Sequence, residues 1–244
     1  MPCSGVTEPA QLSRQVGWLS EHWLWLLDTK VLPSVPGRPT ALDVGCGPGV
    51  VAQLLSSRMD VMGLDADWTM VQAARGRAVE GVRGDAHLLP FKDGSFDVVL
   101  CSFLILWLDD PVTALKEMCR VSRGWVVCLA EPDHGGRIDH PEELRPLHQL
   151  IVEGMRAEGG DPLAGRKLNA YFTRCGLEPE VGVSPGVWSI GRLREESERE
   201  WEWVVRTVGT RPELPRLKDE WDRSLAEGTM FQFNPIFYAL ARKR

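Results

Sequence analysis

The chain reads ALDVGCGPG over residues 41–49, where an apolar run meets three closely spaced glycines. Gly45, Gly47 and Gly49 let the backbone turn sharply and lie against a ligand where a Cβ atom would collide. A helical pattern follows directly. The stretch therefore predicts a buried strand, a glycine loop and a helix, the opening unit of an α/β sheet that binds a ligand at its edge.

Outside this unit, short apolar runs alternate with helical segments from residue 40 to residue 131. Alternation of this kind predicts a parallel sheet with helices on both faces. The predicted strands cover residues 41–45, 60–64, 82–84, 96–102 and 125–130, and the predicted helices cover residues 50–57, 68–75 and 112–121.

Composition excludes several classes of protein. The chain has 244 residues with 34 acidic and 28 basic side chains, a net charge of −6, which disfavours nucleic acid as the main ligand. The longest apolar run, residues 98–108, is far shorter than the roughly 20 residues of a membrane span. The six cysteines form no C-x-x-C pair and are expected to be reduced. We expect a cytoplasmic protein with a small-molecule partner, no membrane span and no metal.

Two carboxylates follow the next predicted strands. Asp65 lies 20 residues after Gly45, the spacing of an acid that binds a ribose diol, and Asp85 ends the third strand. Val50 occupies the position where a dinucleotide fingerprint has Gly or Ala, and no G-x-x-x-x-G-K-[ST] loop occurs. With Asp43 also present, the site suits a ligand that carries an ammonium or sulfonium charge, and S-adenosylmethionine (SAM) fits this description.

These motifs resemble those of the class I SAM-dependent methyltransferases. The likeness is carried by the glycine loop, Asp65, GDA at 84–86 with LPF at 89–91, and FDVV at 96–99. It covers residues 40–130 and is greatest for the branch that includes the ubiquinone and menaquinone biosynthesis methyltransferases. One turn departs from the family's Pro-Gly-Gly pattern, since residues 122–124 read SRG.

The resemblance implies an α/β fold with a doubly wound, mostly parallel seven-stranded sheet, and SAM as the cofactor. It also implies a role for nine residues. Gly45, Cys46 and Gly47 would pack on the methionine part of SAM with Asp43 near its ammonium, Asp65 with Ala66 would meet the ribose, Asp85 with Ala86 the adenine, and Ser102 would border the cofactor.

We expect four parts in the chain. They are an N-terminal helical lid (1–39), a SAM-binding Rossmann-like core (40–187), a helical insertion or cap (188–228) and a terminal strand of the core sheet (229–244). In the lid, Val16, Leu19 and Trp23 belong to one apolar stripe at helical spacing. Pro235 lies inside the last segment, which predicts a strand at or near a sheet edge.

The acceptor side is indicated by tryptophan and by the loops after the fourth and fifth strands. Seven of the ten tryptophans lie in the flanks, which predicts an aromatic-walled pocket for an apolar or planar molecule, although packing between lid and core would also explain them. The candidate substrate-binding residues are Trp18, His22, Trp25 and Trp107, and the candidate catalytic residues are Glu131 and His134.

The expected function is methyl transfer from SAM to a small, apolar or aromatic molecule by in-line displacement. Two alternatives stay open: a protein methyltransferase, and a SAM-binding regulatory protein without catalysis. The sequence names neither the acceptor nor the attacked atom, and it leaves the choice between monomer and dimer open.

Overall fold

The computed structural model describes residues 9–243, in which strands and helices alternate. The strands are β1 (Thr40–Val44), β2 (Asp60–Asp65), β3 (Glu80–Arg83), β4 (Phe96–Ser102), β5 (Ser122–Pro132), β6 (Ile138–His140), β7 (Glu180–Val183), β8 (Phe231–Phe233) and β9 (Ile236–Arg242). The α-helices are α1 (Pro9–Leu26), α2 (Val50–Leu55), α3 (Trp68–Gly76), α4 (Pro111–Val121), α5 (Pro146–Ala157), α6 (Ala164–Arg174), α7 (Ile190–Val208) and α8 (Leu214–Glu227).

One seven-stranded sheet forms the centre of the molecule, in the order β3-β2-β1-β4-β5-β9-β7. Strands β1 to β5 are parallel to one another, while β9 pairs antiparallel with both β5 and β7. A separate two-stranded sheet joins β6 to β8. The doubly wound, mostly parallel sheet predicted from the sequence is confirmed.

The C-terminal segment differs in detail from the expected single strand. It divides at Pro235, which has no backbone N–H to donate to a ladder. The part before this residue joins the small sheet as β8, and the part after it enters the main sheet as β9. The carbonyl of Pro235 accepts a hydrogen bond from the N–H of Asp133 at 2.9 Å, so this break is tied to the end of β5.

The sheet has a hydrophobic core on each face, because alternate residues of a strand point in opposite directions. On β1, Leu42 and Val44 belong to the core that α4 to α8 cover. Ala41 points to the opposite face and belongs to the core that α1 and α2 cover. The helices on both faces thus follow from strands that are apolar on both sides.

Helix α1 binds its face of the sheet through the predicted apolar stripe. Val16, Leu19, Trp23 and Leu26 are all buried, and the chain continues from Leu26 into a π-helical turn over Leu27–Val31. The Trp23 ring is completely buried and lies 6.4 Å from the ring of Phe103, centroid to centroid. The lid helix is therefore part of the packed structure.

The structure describes five of the six cysteines, all as free thiols, and Cys3 lies outside the described residues. No described helix has the length and apolar character needed to cross a membrane.

We predict that Trp23→Ala lowers the free energy of unfolding by about 3–5 kcal/mol, because it leaves a large cavity in a packed core. Urea denaturation followed by circular dichroism measures the change. The matched control is Trp25→Ala, since the Trp25 side chain two positions away is 52% exposed. A similar loss in both variants would contradict the burial of Trp23.

Candidate active site

Five loops meet at one edge of the sheet. Because β1 to β5 run parallel, the segments that follow them all leave at the carboxyl edge. Open α/β sheets bind their ligands in the crevice at this edge. The predicted site residues from Asp43 to His134 come from these strand ends and loops, so the fold brings the candidate cofactor and acceptor residues to one side of the molecule.

The glycine loop after β1 has the tight geometry that the sequence indicates. Gly45 has φ of 73° and Gly47 has φ of 52°, a left-handed region in which residues with a Cβ atom are strained. The N–H groups of Gly45 and Cys46 both donate to the carbonyl of Leu64, at 2.7 and 3.0 Å. A Cβ atom on Gly45 would lie 2.7 Å from the side chain of Leu104, so this position also lacks the space for one.

Asp65 connects the first two loops. One carboxylate oxygen accepts a hydrogen bond from the N–H of Gly47 at 2.8 Å, and the other accepts from the N–H of Asp67 at 2.9 Å. Ala66 lies between these contacts, at the turn that follows β2. The carboxylate is therefore held in place beside the glycine loop, as expected for a residue that would bind the ribose of the cofactor.

Asp43 is the most unusual charged group of the site. It is buried on β1, and neither of its carboxylate oxygens has a hydrogen-bond partner among the described residues. Burial, together with the nearby charge of Asp65, raises its pKa to about 8, and the nearby N–H of Ala52 only partly opposes the shift. A buried carboxyl without a partner is destabilising unless a ligand supplies one.

The third and fourth strands complete the edge. The Asp85 carboxylate is 67% exposed and accepts a hydrogen bond from the N–H of His87 at 2.8 Å, which lowers its pKa. Ala86, next to it, is buried. Ser102 ends β4, and the next residue, Phe103, has a left-handed backbone with φ of 53°.

These features fit SAM. The glycine loop has no side chains at Gly45 and Gly47 to keep the methionine part of the molecule away from its backbone, and the unpartnered carboxylate of Asp43 can accept a cationic ammonium group. Asp65 and Asp85 add two further carboxylates at successive strand ends. Such a cluster is unfavourable for phosphate groups and favourable for a positively charged ligand.

A cavity of about 130 Å³ lies beside this edge. Its aromatic wall is built from Trp18, Trp107, Trp188, Trp203 and Phe103. The Trp18 and Trp188 rings meet edge to face with centroids 4.6 Å apart. Phe103 lines the cavity, and Leu104, the next residue, packs against Gly45, so a single turn separates the cavity from the glycine loop.

The structure divides the four predicted substrate-binding residues into two pairs. Trp18 and Trp107 line the cavity, but His22 and Trp25 do not. Instead, the His22 ring stacks on Trp25 at 5.8 Å and makes a 3.2 Å contact with the hydroxyl of Ser184. His22 and Trp25 lie on roughly the same side of α1 as Trp18, but one and two turns further along the helix, which carries them past the cavity.

Glu131 and His134 lie at the end of β5 and in the loop after it. The buried carboxylate of Glu131 accepts hydrogen bonds from the N–H groups of Leu104, Ile105 and Leu106, at 2.8, 2.7 and 3.2 Å. Burial raises its pKa to about 8, although these hydrogen bonds lower it. This contact fixes the turn between the glycine loop and the cavity.

His134 lines the cavity and stacks on Trp203 with ring centroids 5.6 Å apart. Burial lowers its pKa to about 3, and the charges of Arg137 and His148 act in the same direction, so its imidazole is neutral at pH 7. Catalysis by Glu131 and His134 stays a prediction.

Sequence reasoning missed part of the cavity wall that α7 supplies. Glu200, Trp203 and Thr207 all line the cavity and follow one another at i, i+3 and i+7. This spacing places them on one side of a helix, next to the buried stripe that contains Trp201 and Val204. A second stripe of mixed aromatic and polar residues was the signal that could have revealed them.

Comparison with known proteins identifies the family. A family model described as a methyltransferase domain matches residues 42–128. Demethylmenaquinone methyltransferase of Bacillus licheniformis is 37% identical, over 72% of this chain and 77% of its own length. The chain belongs to the class I SAM-dependent methyltransferases, with relatives in the quinone-biosynthesis branch, and SAM is its cofactor.

Two other similarities extend along more of the chain. A 37.1 kDa protein of transposon TN4556 from Streptomyces fradiae is 38% identical over 87% of this chain, which spans 65% of that protein. A crystal structure from Bacillus halodurans, described as that of a methyltransferase, superposes with a TM-score of 0.63 at 18% identity. It covers 91% of this chain and 99% of its own, so the fold is shared over nearly the whole length.

We predict that Asp43→Asn weakens binding of S-adenosylhomocysteine about tenfold, because it removes the charge that pairs with the ligand's ammonium. The same variant should melt at a higher temperature than the ligand-free parent at pH 8. Between the ordinary carboxyl pKa and about 8, the folded chain keeps a proton that the unfolded chain has released, so stability falls as pH rises. Calorimetry and thermal melts measure both effects, and unchanged ligand binding would contradict the assignment.

Asp65→Ala should weaken binding of the same ligand by about 1.5–3 kcal/mol, because it removes a charge-assisted hydrogen bond and loosens the glycine loop. Asp60→Ala, at the exposed opposite end of β2, is the control and should bind like the parent. Isothermal titration calorimetry on both variants tests the assignment. Equal affinities would show that Asp65 makes no contact with the cofactor.

Proposed function

We propose that the protein transfers a methyl group from SAM to a small planar molecule that the aromatic cavity holds. The observation that carries this proposal is the position of the cavity, one turn away from the glycine loop through Phe103 and Leu104. A planar ring can pack between tryptophan side chains, which offer large apolar surfaces at low entropic cost. The Bacillus licheniformis relative is named for demethylmenaquinone, whose head group is a flat bicyclic ring.

The chain's own residues contribute mainly positioning and exclusion of water. Displacement at a sulfonium methyl group needs no protonation of the leaving thioether, so alignment of the acceptor is the main requirement. Glu131 holds the turn from Leu104 to Leu106. This turn places the Leu104 side chain against Gly45, and Leu106 and Trp107 line the cavity. Acceptor and cofactor are thereby aligned by the same short segment.

The parts proposed as lid and cap form the walls of the cavity. Helix α1 supplies Gln15, Trp18 and Leu19, and the region from residue 185 to residue 207 supplies Trp188 and Trp203 among others. Both regions flank the strands β1 to β5 in the chain. This arrangement favours a small acceptor over a protein side chain, because the cavity of about 130 Å³ is lined by residues of the two helical flanks and of the loops at the sheet edge.

Incubation with methyl-labelled SAM and a fractionated cell extract tests the proposed function. We expect the label in the fraction of low molecular mass, and its recovery by mass spectrometry identifies the acceptor. Label on protein would instead support the protein methyltransferase. Absence of transfer with intact SAM binding would support a regulatory protein without catalysis.

Trp18→Ala should lower kcat/KM for the identified acceptor by about tenfold, roughly 1.4 kcal/mol, because the cavity loses an aromatic wall. Affinity for S-adenosylhomocysteine should stay the same. Steady-state kinetics measures the first quantity and calorimetry the second. Val205→Ala, on an exposed part of α7, is the control and should keep the parent kinetics. Unchanged kinetics in Trp18→Ala would exclude Trp18 from acceptor binding.

A further inference from the structure

Part of the cavity wall is polar, and this polar wall contains hydrogen-bond acceptors without a partner among the described residues. The carboxylates of Glu158 and Glu200 line it, together with the amides of Gln15 and Asn234. The side-chain oxygens of Gln15 and Asn234 are buried and have no hydrogen-bond partner among the described residues. Buried acceptors of this kind are destabilising until a ligand brings a donor.

Arg137 is the cation of this wall, and the protein already balances its charge. Its side chain is 2% exposed, and its Nε donates to both carboxylate oxygens of Asp139, at 2.8 and 3.0 Å. Asp139 is buried to a similar extent. In the amide orientation that satisfies both groups, the Gln232 carbonyl accepts from both terminal nitrogens of Arg137 at 3.2 Å. The guanidinium is therefore a fixed part of the wall and attracts an anionic ligand only weakly.

Glu200 has no such partner. It projects from α7 to the cavity, and no described residue forms an ion pair or hydrogen bond with its carboxylate. Arg137 and Arg14 act on it only at longer range, and Glu196 opposes them. His134 adds no positive charge because its imidazole is neutral at pH 7. The Glu200 side of the cavity thus presents an unpaired carboxylate to whatever it binds.

The aromatic wall already carries a cation, so it offers a ligand apolar surface while the positive end of the ligand must meet Glu200. The guanidinium of Arg192 lies over the rings of both Trp188 and Trp18, at 4.8 and 5.6 Å from their centroids. Tryptophan faces attract cations through their ring quadrupole, and the attraction grows when water is excluded. A ligand with a flat apolar body and a positive end would satisfy both walls of the cavity.

From this arrangement we infer that the acceptor is a small arylalkylamine, whose ammonium group binds Glu200 while its ring packs against the tryptophans. The inference rests on the proposed function and specifies its substrate class. In the reaction the ammonium loses a proton to the Glu200 carboxylate, and the freed nitrogen lone pair attacks the methyl carbon. The carbon–sulfur bond breaks with its electron pair left on sulfur, so atoms and charges balance.

The acidity of Glu200 agrees with this role. Burial raises its pKa to about 7, where a carboxylate can accept a proton at physiological pH. Glu158, on the same wall, also has a raised pKa through burial, with Arg206 opposing the shift. An ammonium group bound beside Glu200 stabilises the ionised carboxylate and lowers its pKa again.

Calorimetry with three probes of similar size tests the inference on the full chain saturated with S-adenosylhomocysteine. The probes are 2-phenylethylamine, 2-phenylethanol and phenylacetate, at pH 8. We expect the amine to bind at least about tenfold more tightly than the alcohol, and the carboxylate to bind most weakly. In Glu200→Gln the amine should lose this advantage, while Glu202→Gln, exposed on the same helix, should keep it.

The pH dependence gives an independent readout. Affinity for the amine should rise about tenfold between pH 6 and pH 8 as Glu200 ionises, and should stay flat in Glu200→Gln. Glu200→Asp, which keeps the charge, should retain a pH dependence if the amide variant does not fold. Equal affinities for the three probes, tighter binding of phenylacetate, or no detectable binding would overturn the inference. Because binding of S-adenosylhomocysteine is measured in the same sample, the methyltransferase assignment is judged separately.

Discussion

Three backbone N–H groups of one turn donate to a single buried carboxylate, that of Glu131, and the site depends on this contact. The turn follows β4, where Phe103 adopts a left-handed backbone, and it carries Leu104 onto Gly45. Trp107 leaves the same turn to line the cavity. The end of β5 therefore sets the relative position of the cofactor loop and the aromatic cavity proposed for the acceptor, and methyl transfer requires cofactor and acceptor to be aligned.

Helix α1 belongs to both the core and the site. Its stripe from Val16 to Leu26 packs on the sheet, while Gln15 and Trp18, beside this stripe, line the cavity. A segment with this double role is ordered by apolar burial and needs no ligand to hold it in place. This part of the cavity wall is consequently anchored to the core behind it.

The core and the cofactor edge could be predicted from the sequence because their signals are local. A strand that is buried on both faces, a glycine with positive φ and an acid at a strand end are each determined within a few residues, as Asp43 and Gly45 show. The acceptor side has no such local signal. Glu200 reaches the cavity only through the packing of α7 on distant elements, and Trp25 misses it because it lies two turns beyond Trp18 along the same side of α1. Long-range packing decides these positions, so no local pattern in the sequence predicts them.

The buried carboxyl of Asp43 has a consequence for how much protein a cell retains. The fold alone does not satisfy this group, so part of the folding free energy is supplied only when cofactor is bound. A ligand present at about 100 times its dissociation constant adds roughly 2.7 kcal/mol to the stability of the folded state. When SAM becomes scarce, a larger fraction of chains unfolds and is open to proteolysis. The abundance of the enzyme would then follow the supply of its methyl donor without any dedicated regulator.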